Sequence, residues 1–312
     1  MRRVLTVAAV AAALLLPGGP LPEAEAGSGS GSGAPPATGR WSAREAEDFW
    51  TADRMASAAP INAGAAQVPG ADPGTGADFD GIPVVGRMFV MKGSGAYFCT
   101  ASVVTSPGRN LVLSAAHCLL GTDARQVAFV PLYTAENPQP YGMFPVLRDA
   151  EGRSKVWIDP RYKSLGADKA ATLDVAFAQV GPDADGFPVE EVVGGNRLVT
   201  GAPYEHPQVS LIGYPASAAR PRLCVNRTTR FTSTDPGIPG SFLRIDCTGY
   251  PGGTSGGPFL TRYDKETETG DVVGVIGGWK TGGDTADTSY SSYFGTDVRN
   301  LYEKAVAGAA GA

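Results

Sequence analysis

The chain has 312 residues, of which 43% are hydrophobic, and its formal net charge at pH 7 is −5. The charge is unevenly spread: 1–80 holds five basic and nine acidic residues, whereas 81–312 holds 21 basic and 22 acidic residues. A nearly neutral second part without a basic stripe argues against nucleic acid or an anionic membrane surface as a partner. The length fits one large all-β domain or two small ones.

The N-terminus has the pattern of a signal peptide. Arg2 and Arg3 precede an apolar run of 13 residues at 4–16, which is long enough for a signal core and too short to span a bilayer. The sequence AEA at 24–26 supplies the small residues that signal peptidase requires. We therefore predict a signal peptide at 1–26 and a secreted, extracellular protein.

Residues 27–80 differ in composition from everything that follows. The run at 27–40 is a Gly/Ser-rich linker that cannot bury a core, 41–58 predicts a short helix, and 60–76 is again rich in Pro, Gly and Ala. A helix between two linkers upstream of a compact domain is typical of the pro-segment of a zymogen. The alternative is an N-terminal extension that stays attached.

From about residue 81 the sequence consists of short β-branched and aromatic runs separated by Gly, Pro and Asn. Regular short strands with turn signals favour an antiparallel sandwich or barrel over βαβ units. Apolar residues at i, i+3, i+4 and i+7 from Val298 to Ala305 predict a C-terminal helix, with Thr296 or Asp297 as its cap. The predicted strands include 84–91, 98–104, 110–115, 172–180, 208–213, 242–247 and 271–276.

The four cysteines are Cys99, Cys118, Cys224 and Cys247. In an exported protein they can pair in three ways, and pairing of neighbours is favoured because each bond then closes a short loop within one half of the domain. A Cys/His metal site is the competing idea. However, the chain has no C-x-x-C pair, and the adjacent side chains of His117 and Cys118 diverge. We expect no metal and no cofactor.

The sharpest motif is GGTSGGP at 252–258. Glycines beside Ser255 tolerate positive φ and leave room for a substrate backbone, so the serine N–H and a neighbouring N–H can point into one concavity. Such a concavity stabilises the oxyanion of a tetrahedral intermediate. A plain tight turn is the alternative.

The order of residues along the chain distinguishes classes of serine hydrolase. An α/β-hydrolase needs its histidine after the serine, but His117 and His206 are the only histidines and both precede Ser255. Subtilisin order would need an aspartate before the histidine, which only the linker-like residues 72–80 offer. The order His, Asp, Ser remains.

His117 ends the apolar run LVLSAAH beside Cys118, where a disulfide would hold a catalytic base rigidly. Asp174 lies in TLDVAFAQV, where an ionised carboxylate would be buried and therefore costly unless paired. Pairing with the Nδ1–H of His117 would fix the tautomer and stabilise the imidazolium. A local turn is the alternative for Asp174. We predict His117 as general base, Asp174 as its orienting partner and Ser255 as nucleophile.

Together, LVLSAAHC, TLDVAFAQV and GGTSGGP resemble the three signature blocks of chymotrypsin-like serine peptidases. Within that group the chain is similar to the secreted bacterial branch that includes the glutamyl (V8-like) endopeptidases. The resemblance covers about 81–305 and implies that 81–312 is an all-β peptidase domain. Its expected architecture is two antiparallel six-stranded β-barrels with the active site between them and a C-terminal helix.

The resemblance also implies that the N–H groups of Gly253 and Ser255 form the oxyanion hole. Cys99 falls where such enzymes have a cysteine bonded to the one after the catalytic histidine. This supports the pair Cys99–Cys118, and Cys224–Cys247 is then the second pair.

The same resemblance marks substrate-binding positions and departures from the family. The expected substrate-binding residues are Gly249, Gly277, Gly278 and Trp279. A serine that usually supports the catalytic aspartate is missing from 277–279, and Gly249 stands where Arg/Lys-specific enzymes carry an acid. Ile276 lies near where Glu-specific enzymes carry a histidine, although Asp284 could still reach the pocket. Thr254 replaces an aspartate that pairs with the newly cut N-terminus in animal relatives.

The expected function is that of a secreted, monomeric serine endopeptidase, which cleaves polypeptides through an acyl-enzyme on Ser255. One alternative is a non-catalytic binding module on a peptidase scaffold, although such modules typically lose a member of the triad. Another is a secreted esterase with the same nucleophile, which would turn over acyl esters without cleaving peptides.

Overall fold

The computed structural model describes residues 41–62, 73–122 and 126–310. The predicted signal peptide at 1–26 and the linker at 27–40 lie outside the described residues. No helix among the described residues is long and apolar enough to cross a membrane.

Strands outnumber helices among the described residues, as the sequence predicts. The strands of the first half of the fold are β1 Ala59–Pro60, β3 Val85–Lys92, β4 Gly95–Val104, β5 Leu111–Ser114, β6 Val127–Pro131, β7 Phe144–Pro145, β8 Val156–Ile158 and β9 Ala176–Gln179. Those of the second half are β2 Ala77–Asp78, β10 Arg197–Leu198, β11 Val209–Gly213, β12 Arg222–Asn226, β13 Thr228–Thr232, β14 Ser241–Asp246, β15 Pro258–Asp264, β16 Thr269–Val275 and β17 Thr288–Ser292. The helices are α1 Ala43–Phe49, α2 Ala52–Ser57, α3 Ala116–Leu119, α4 Pro160–Leu165, α5 Val189–Val193 and α6 Thr296–Ala310.

The first half is one sheet with the order β7-β6-β3-β4-β5-β9-β8, to which β1 adds by pairing with β4. The second half contains a six-stranded sheet, β10-β16-β15-β11-β12-β2, and a three-stranded sheet, β13-β14-β17. The pairs β1–β4 and β10–β16 are parallel, and the remaining strand pairs are antiparallel. One apolar cluster lies within the first half and another within the second, and a third, larger cluster packs residues of both halves together.

Two disulfide bonds join the cysteines that are neighbours in sequence. Cys99 in β4 is bonded to Cys118 in α3. Cys224 in β12 is bonded to Cys247, which directly follows β14, so this bond ties the two sheets of the second half together. Loops of this size gain about 3 kcal/mol from cross-linking of the unfolded chain.

Three local sequence predictions are wrong in detail. The single helix expected at 41–58 is divided into α1 and α2, because the Thr51 hydroxyl accepts from Arg54 N–H and caps a second helix. The strand expected from 172 begins only at Ala176, after a short 3-10 helix. Helix α6 begins at Thr296, and the Gly295 carbonyl accepts from Arg299 N–H, which makes Gly295 the capping residue.

The segment 41–62 packs into the first half of the fold. Trp50 and Met55 are fully buried in its core, and the Trp50 ring lies 5.4 Å from that of Phe89. The segment ends in β1, which pairs with β4. The N-terminal segment is therefore part of the hydrophobic core.

We predict that Trp50→Ala lowers the free energy of unfolding by about 3–5 kcal/mol, because it leaves a large cavity in a packed core. Denaturant titration of the chain measures the change. The control is Phe187→Ala, which removes an aromatic ring that is 53% exposed and should cost about 0.5 kcal/mol. Equal losses from both variants would contradict the burial of Trp50.

Candidate active site

His117 lies on the one-turn helix α3, just beyond the end of β5, and not in the strand itself as the sequence suggested. Its position is held from two sides. The adjacent Cys118 is bonded to Cys99 in β4, and Lys92 Nζ donates to the His117 carbonyl at 2.9 Å. The histidine is 8% exposed, so its ring is enclosed by the fold.

Asp174 receives hydrogen bonds from both halves of the fold. His117 Nδ1 lies 2.8 Å from Asp174 Oδ2, and the His117 N–H donates to Oδ1 at 2.9 Å. The Gly278 N–H, from the second half, donates to Oδ2 at 2.9 Å. An ionised carboxylate only accepts, so Nδ1 carries the ring proton and Nε2 keeps the lone pair. His117 Nε2 is buried and has no hydrogen-bond partner among the described residues.

The electrostatics of the pair keep Asp174 ionised. Burial by itself would raise the pKa of this carboxyl group, which is 1% exposed. The nearby His117 and the hydrogen bonds from His117 and Gly278 outweigh burial, so the pKa of Asp174 is lowered. The neighbouring Tyr162 is affected in the opposite direction, because burial and the Asp174 charge raise the pKa of its hydroxyl.

Ser255 lies in the loop after β14, at the junction of the two halves. Thr100 N–H in β4 donates to the Ser255 carbonyl at 2.8 Å, and Gly256 N–H donates to the Ile276 carbonyl at 2.7 Å. Gly256 has φ +81, and a Cβ there would collide with Ser114 Oγ and the Thr100 carbonyl. Only glycine permits this close approach. The residue after Ser255 thus packs against Ser114 and Ala115, just before the helix that carries His117, and Ser255 Oγ makes no hydrogen bond to His117 Nε2.

Two backbone N–H groups are available in this loop. Within the described part of the chain, neither Gly253 N–H nor Ser255 N–H donates to another protein atom. The Gly252 carbonyl accepts from Ala216 N–H at 3.0 Å, which directs the N–H of the same peptide group the opposite way. Gly253 has φ +96, and a Cβ would lie 2.6 Å from the Phe98 ring. Such free donors can stabilise a developing oxyanion.

Thr100 is a positioning residue that the sequence analysis missed. Its fully buried hydroxyl donates to the Gly253 carbonyl at 2.9 Å and accepts from Tyr214 N–H at 2.8 Å. Its carbonyl accepts from Ser114 Oγ at 2.9 Å. The sequence feature that could have indicated this role is that Thr100, directly after Cys99, is a hydroxyl residue in a strand of otherwise small or apolar residues. Thr100 thus fixes the orientation of the serine loop and makes no hydrogen bond to His117 or Asp174.

The predicted substrate-binding residues fall in different surroundings. Gly277 and Gly278 lie beside Asp174, and the Gly278 N–H supplies the contact for which the family uses a serine. The Trp279 ring packs against Phe231 and Tyr290 at 5.1 and 4.7 Å.

The Gly249 carbonyl accepts a hydrogen bond from Arg222 Nη1 at 2.9 Å. Asp284 is exposed and pairs with Lys280 at 2.5 Å. The sulfur atoms of Cys99 and Cys118 lie close to His117, but they are joined to each other and are not thiolates that could bind a metal.

Comparison with known proteins places these features in a family. A family model described as "Trypsin-like peptidase domain" matches residues 99–275. No curated protein sequence matches the chain significantly.

Solved structures share the fold. Protease Anisep from Arthrobacter nicotinovorans is 23% identical, with a TM-score of 0.59 over 74% of this chain and 99% of that one. The thermostable serine protease AL20 from an extremophilic microorganism is 22% identical, with a TM-score of 0.57 over 72% and 97%. A Glu endopeptidase in complex with MPD is 16% identical, with a TM-score of 0.53 over 77% and 100%. These similarities confirm the predicted double β-barrel with a C-terminal helix.

We predict that Asp174→Asn destabilises the protein by about 3 kcal/mol near neutral pH, because the amide cannot accept all three buried hydrogen bonds that the carboxylate accepts. The folded-state pKa of Asp174 is lowered, so the stability that its ionisation provides is present above the usual carboxyl pKa of about 4 and lost as pH falls below it. Unfolding free energies of both proteins from pH 7 to pH 3 should therefore converge. Exposed Asp168→Asn is the control, and a pH-independent gap for Asp174→Asn would contradict the ionised pair.

Proposed function

The chain belongs to the trypsin-like peptidase family, and we propose that it is a secreted serine endopeptidase that forms an acyl-enzyme on Ser255. The observation that carries the proposal is the His117–Asp174 pair, whose buried Nε2 lacks a partner at the junction where Ser255 lies. The two free N–H groups of the serine loop support the same chemistry.

In the proposed reaction, Ser255 Oγ attacks the carbonyl carbon of the scissile bond while its proton passes to His117 Nε2. The carbonyl π electrons move onto oxygen, and this oxyanion accepts hydrogen bonds from Gly253 N–H and Ser255 N–H. Asp174 stabilises the imidazolium, which then protonates the leaving nitrogen as the C–N bond breaks. Water attacks the acyl-enzyme with His117 again as base, and the carboxylic acid product leaves with Ser255 restored.

The rigidity of the serine loop supports this mechanism energetically. A single oxyanion-hole donor is worth about 10²- to 10³-fold in kcat when it is held in place before the reaction. Here the carbonyl before Gly253 is held by Ala216 N–H and the carbonyl of Gly253 by Thr100 Oγ1. The loop therefore does not have to reorganise when charge develops.

Secretion remains part of the proposal. It rests on the signal-peptide pattern at 1–26 and on two disulfide bonds, which persist in oxidising compartments. The substrates would be polypeptides, and the similarity to the glutamyl branch stays a prediction, as does the monomeric state. The absence of an acid at Gly249 argues against cleavage after Arg or Lys.

The test is digestion of a proteome-derived peptide library by the secreted protein, with Ser255→Ala as the paired variant and a fluorophosphonate label on both. We expect the wild-type protein to cleave peptides and take up the label, and Ser255→Ala to do neither while keeping its unfolding midpoint. Equal hydrolysis by Ser255→Ala would refute the assignment. A folded wild-type protein without label or turnover would favour the binding module, and turnover of acyl esters alone would favour the esterase.

We also propose that 27–80 contains a pro-segment whose end covers the active-site cleft. Ile61 N–H donates to the Phe98 carbonyl at 3.1 Å, on the wall that contacts Gly253. Asn62 Nδ2 donates to Thr281 Oγ1 at 3.0 Å, in the loop that follows Gly278. These two contacts connect opposite sides of the Ser255 junction, so a substrate would have to displace the segment.

We predict that Asn62→Ala raises kcat/KM of the uncut chain about fivefold, because one hydrogen bond of about 1 kcal/mol holds the segment across the cleft. Rates are measured while gel electrophoresis shows the chain intact, with exposed Asn137→Ala as the control. Proteolytic cutting after Asn62 should raise activity further. Equal activity of the uncut, cut and Asn62→Ala chains would show that 41–62 is an attached extension without an inhibitory role.

A further inference from the structure

Arg87 in β3 is a buried cation without a counter-ion. The residue is 8% exposed, and among the described residues no carboxylate or carbonyl pairs with its guanidinium. Its Nε is enclosed and has no hydrogen-bond partner. Buried charges in proteins are normally paired or hydrogen-bonded, since desolvation is otherwise uncompensated. An unpaired arginine at this depth needs an explanation.

Aromatic rings surround the guanidinium. Arg87 Cζ lies 4.0 Å from the ring centroid of Phe98, 4.6 Å from that of Tyr133 and 5.7 Å from that of Tyr214. Ring faces stabilise a cation, but they offer no in-plane acceptor to the five N–H donors of a guanidinium. The three rings therefore hold the Arg87 guanidinium in place without accepting hydrogen bonds from it.

Arg87 lines a cavity of about 360 Å³, which we call the Arg87 pocket. Its other walls are Phe98, Tyr133, the 216–219 loop and small residues of the N-terminal segment, and none of the described residues that line it is acidic. Arg87, the two rings and the loop all belong to 81–312. The residues of 41–62 contribute only small apolar side chains to the wall.

The Arg87 pocket adjoins the serine loop. Ala216 donates its N–H to the Gly252 carbonyl at 3.0 Å, and the Phe98 ring contacts Gly253. Gly278 and its neighbours lie on the other side of the junction, beside Asp174. If the acyl part of a peptide lies along 277–279, as the family resemblance implies, its leaving part lies on the Gly253 side of Ser255, next to the pocket.

We propose that the Arg87 pocket binds an acidic side chain of the substrate on the leaving-group side of the scissile bond. This rests on the proposed function. A carboxylate matches the planar fork of a guanidinium and can accept two parallel hydrogen bonds from it. The pocket is large enough for a Glu side chain, and its neutral walls present no competing negative charge.

The test compares pairs of peptides, amidated at the C-terminus, that differ only by Glu or Gln at each position after the scissile bond. We expect the wild-type protein to hydrolyse the best Glu peptide with at least about tenfold higher kcat/KM than its Gln partner, the size of effect typical of a charge-assisted hydrogen bond. Arg87→Met should reduce this Glu-to-Gln ratio to about one. Arg87→Lys should keep an intermediate ratio, because lysine retains the charge without the fork.

The control is Arg230→Met, which removes another arginine stacked on an aromatic ring, 4.9 Å from Tyr204, and should leave the ratio unchanged. A wild-type ratio near one, or a ratio that survives in Arg87→Met, overturns the proposal. If Arg87→Met does not fold, an unchanged ratio in Arg87→Lys overturns it instead. If the wild type hydrolyses neither peptide, the proposed function fails, and the Glu-to-Gln ratio is then read from binding affinities measured by fluorescence polarisation.

Discussion

The buried carboxylate of Asp174 is the constraint on which the site depends, because it takes hydrogen bonds from both halves of the fold. His117 contributes its backbone N–H and its ring Nδ1, and Gly278 contributes a backbone N–H from the second half. A carboxylate so deeply enclosed is tolerable only with such donors. The same bonds fix the histidine tautomer and leave Nε2 with its lone pair. One carboxylate therefore joins the two halves and orients the ring of the proposed base.

The shape of the serine loop depends on close packing of its backbone against the neighbouring strands. Gly253 and Gly256 adopt positive φ where a Cβ would strike the opposite wall, so the loop lies directly against β4 and β5. Thr100, in β4, then reaches both the Gly253 carbonyl and the Ser255 carbonyl. Strand β4 also carries Cys99, which is bonded to Cys118 beside His117, so one strand positions both the proposed base and the proposed nucleophile.

Two further features, the N-terminal segment 41–62 and the guanidinium of Arg87, lie near the serine loop. The N-terminal segment is anchored in the core by Trp50 and reaches the cleft through Asn62, so its position depends on packing far from the chemistry. Arg87 has aromatic faces around its guanidinium and no carboxylate partner among the described residues. In the proposals above, both features act on peptide binding and not on the chemical step.

The sequence by itself determined the alternating strands, the C-terminal helix and the order His117, Asp174, Ser255, because these depend on local periodicity and residue type. Only the tertiary structure decided that the Gly278 N–H donates to Asp174 and that the Thr100 hydroxyl donates to the Gly253 carbonyl. Those contacts join residues 104 and 153 positions apart. These contacts depend on which backbone groups remain unpaired after folding, and a local sequence pattern does not predict that.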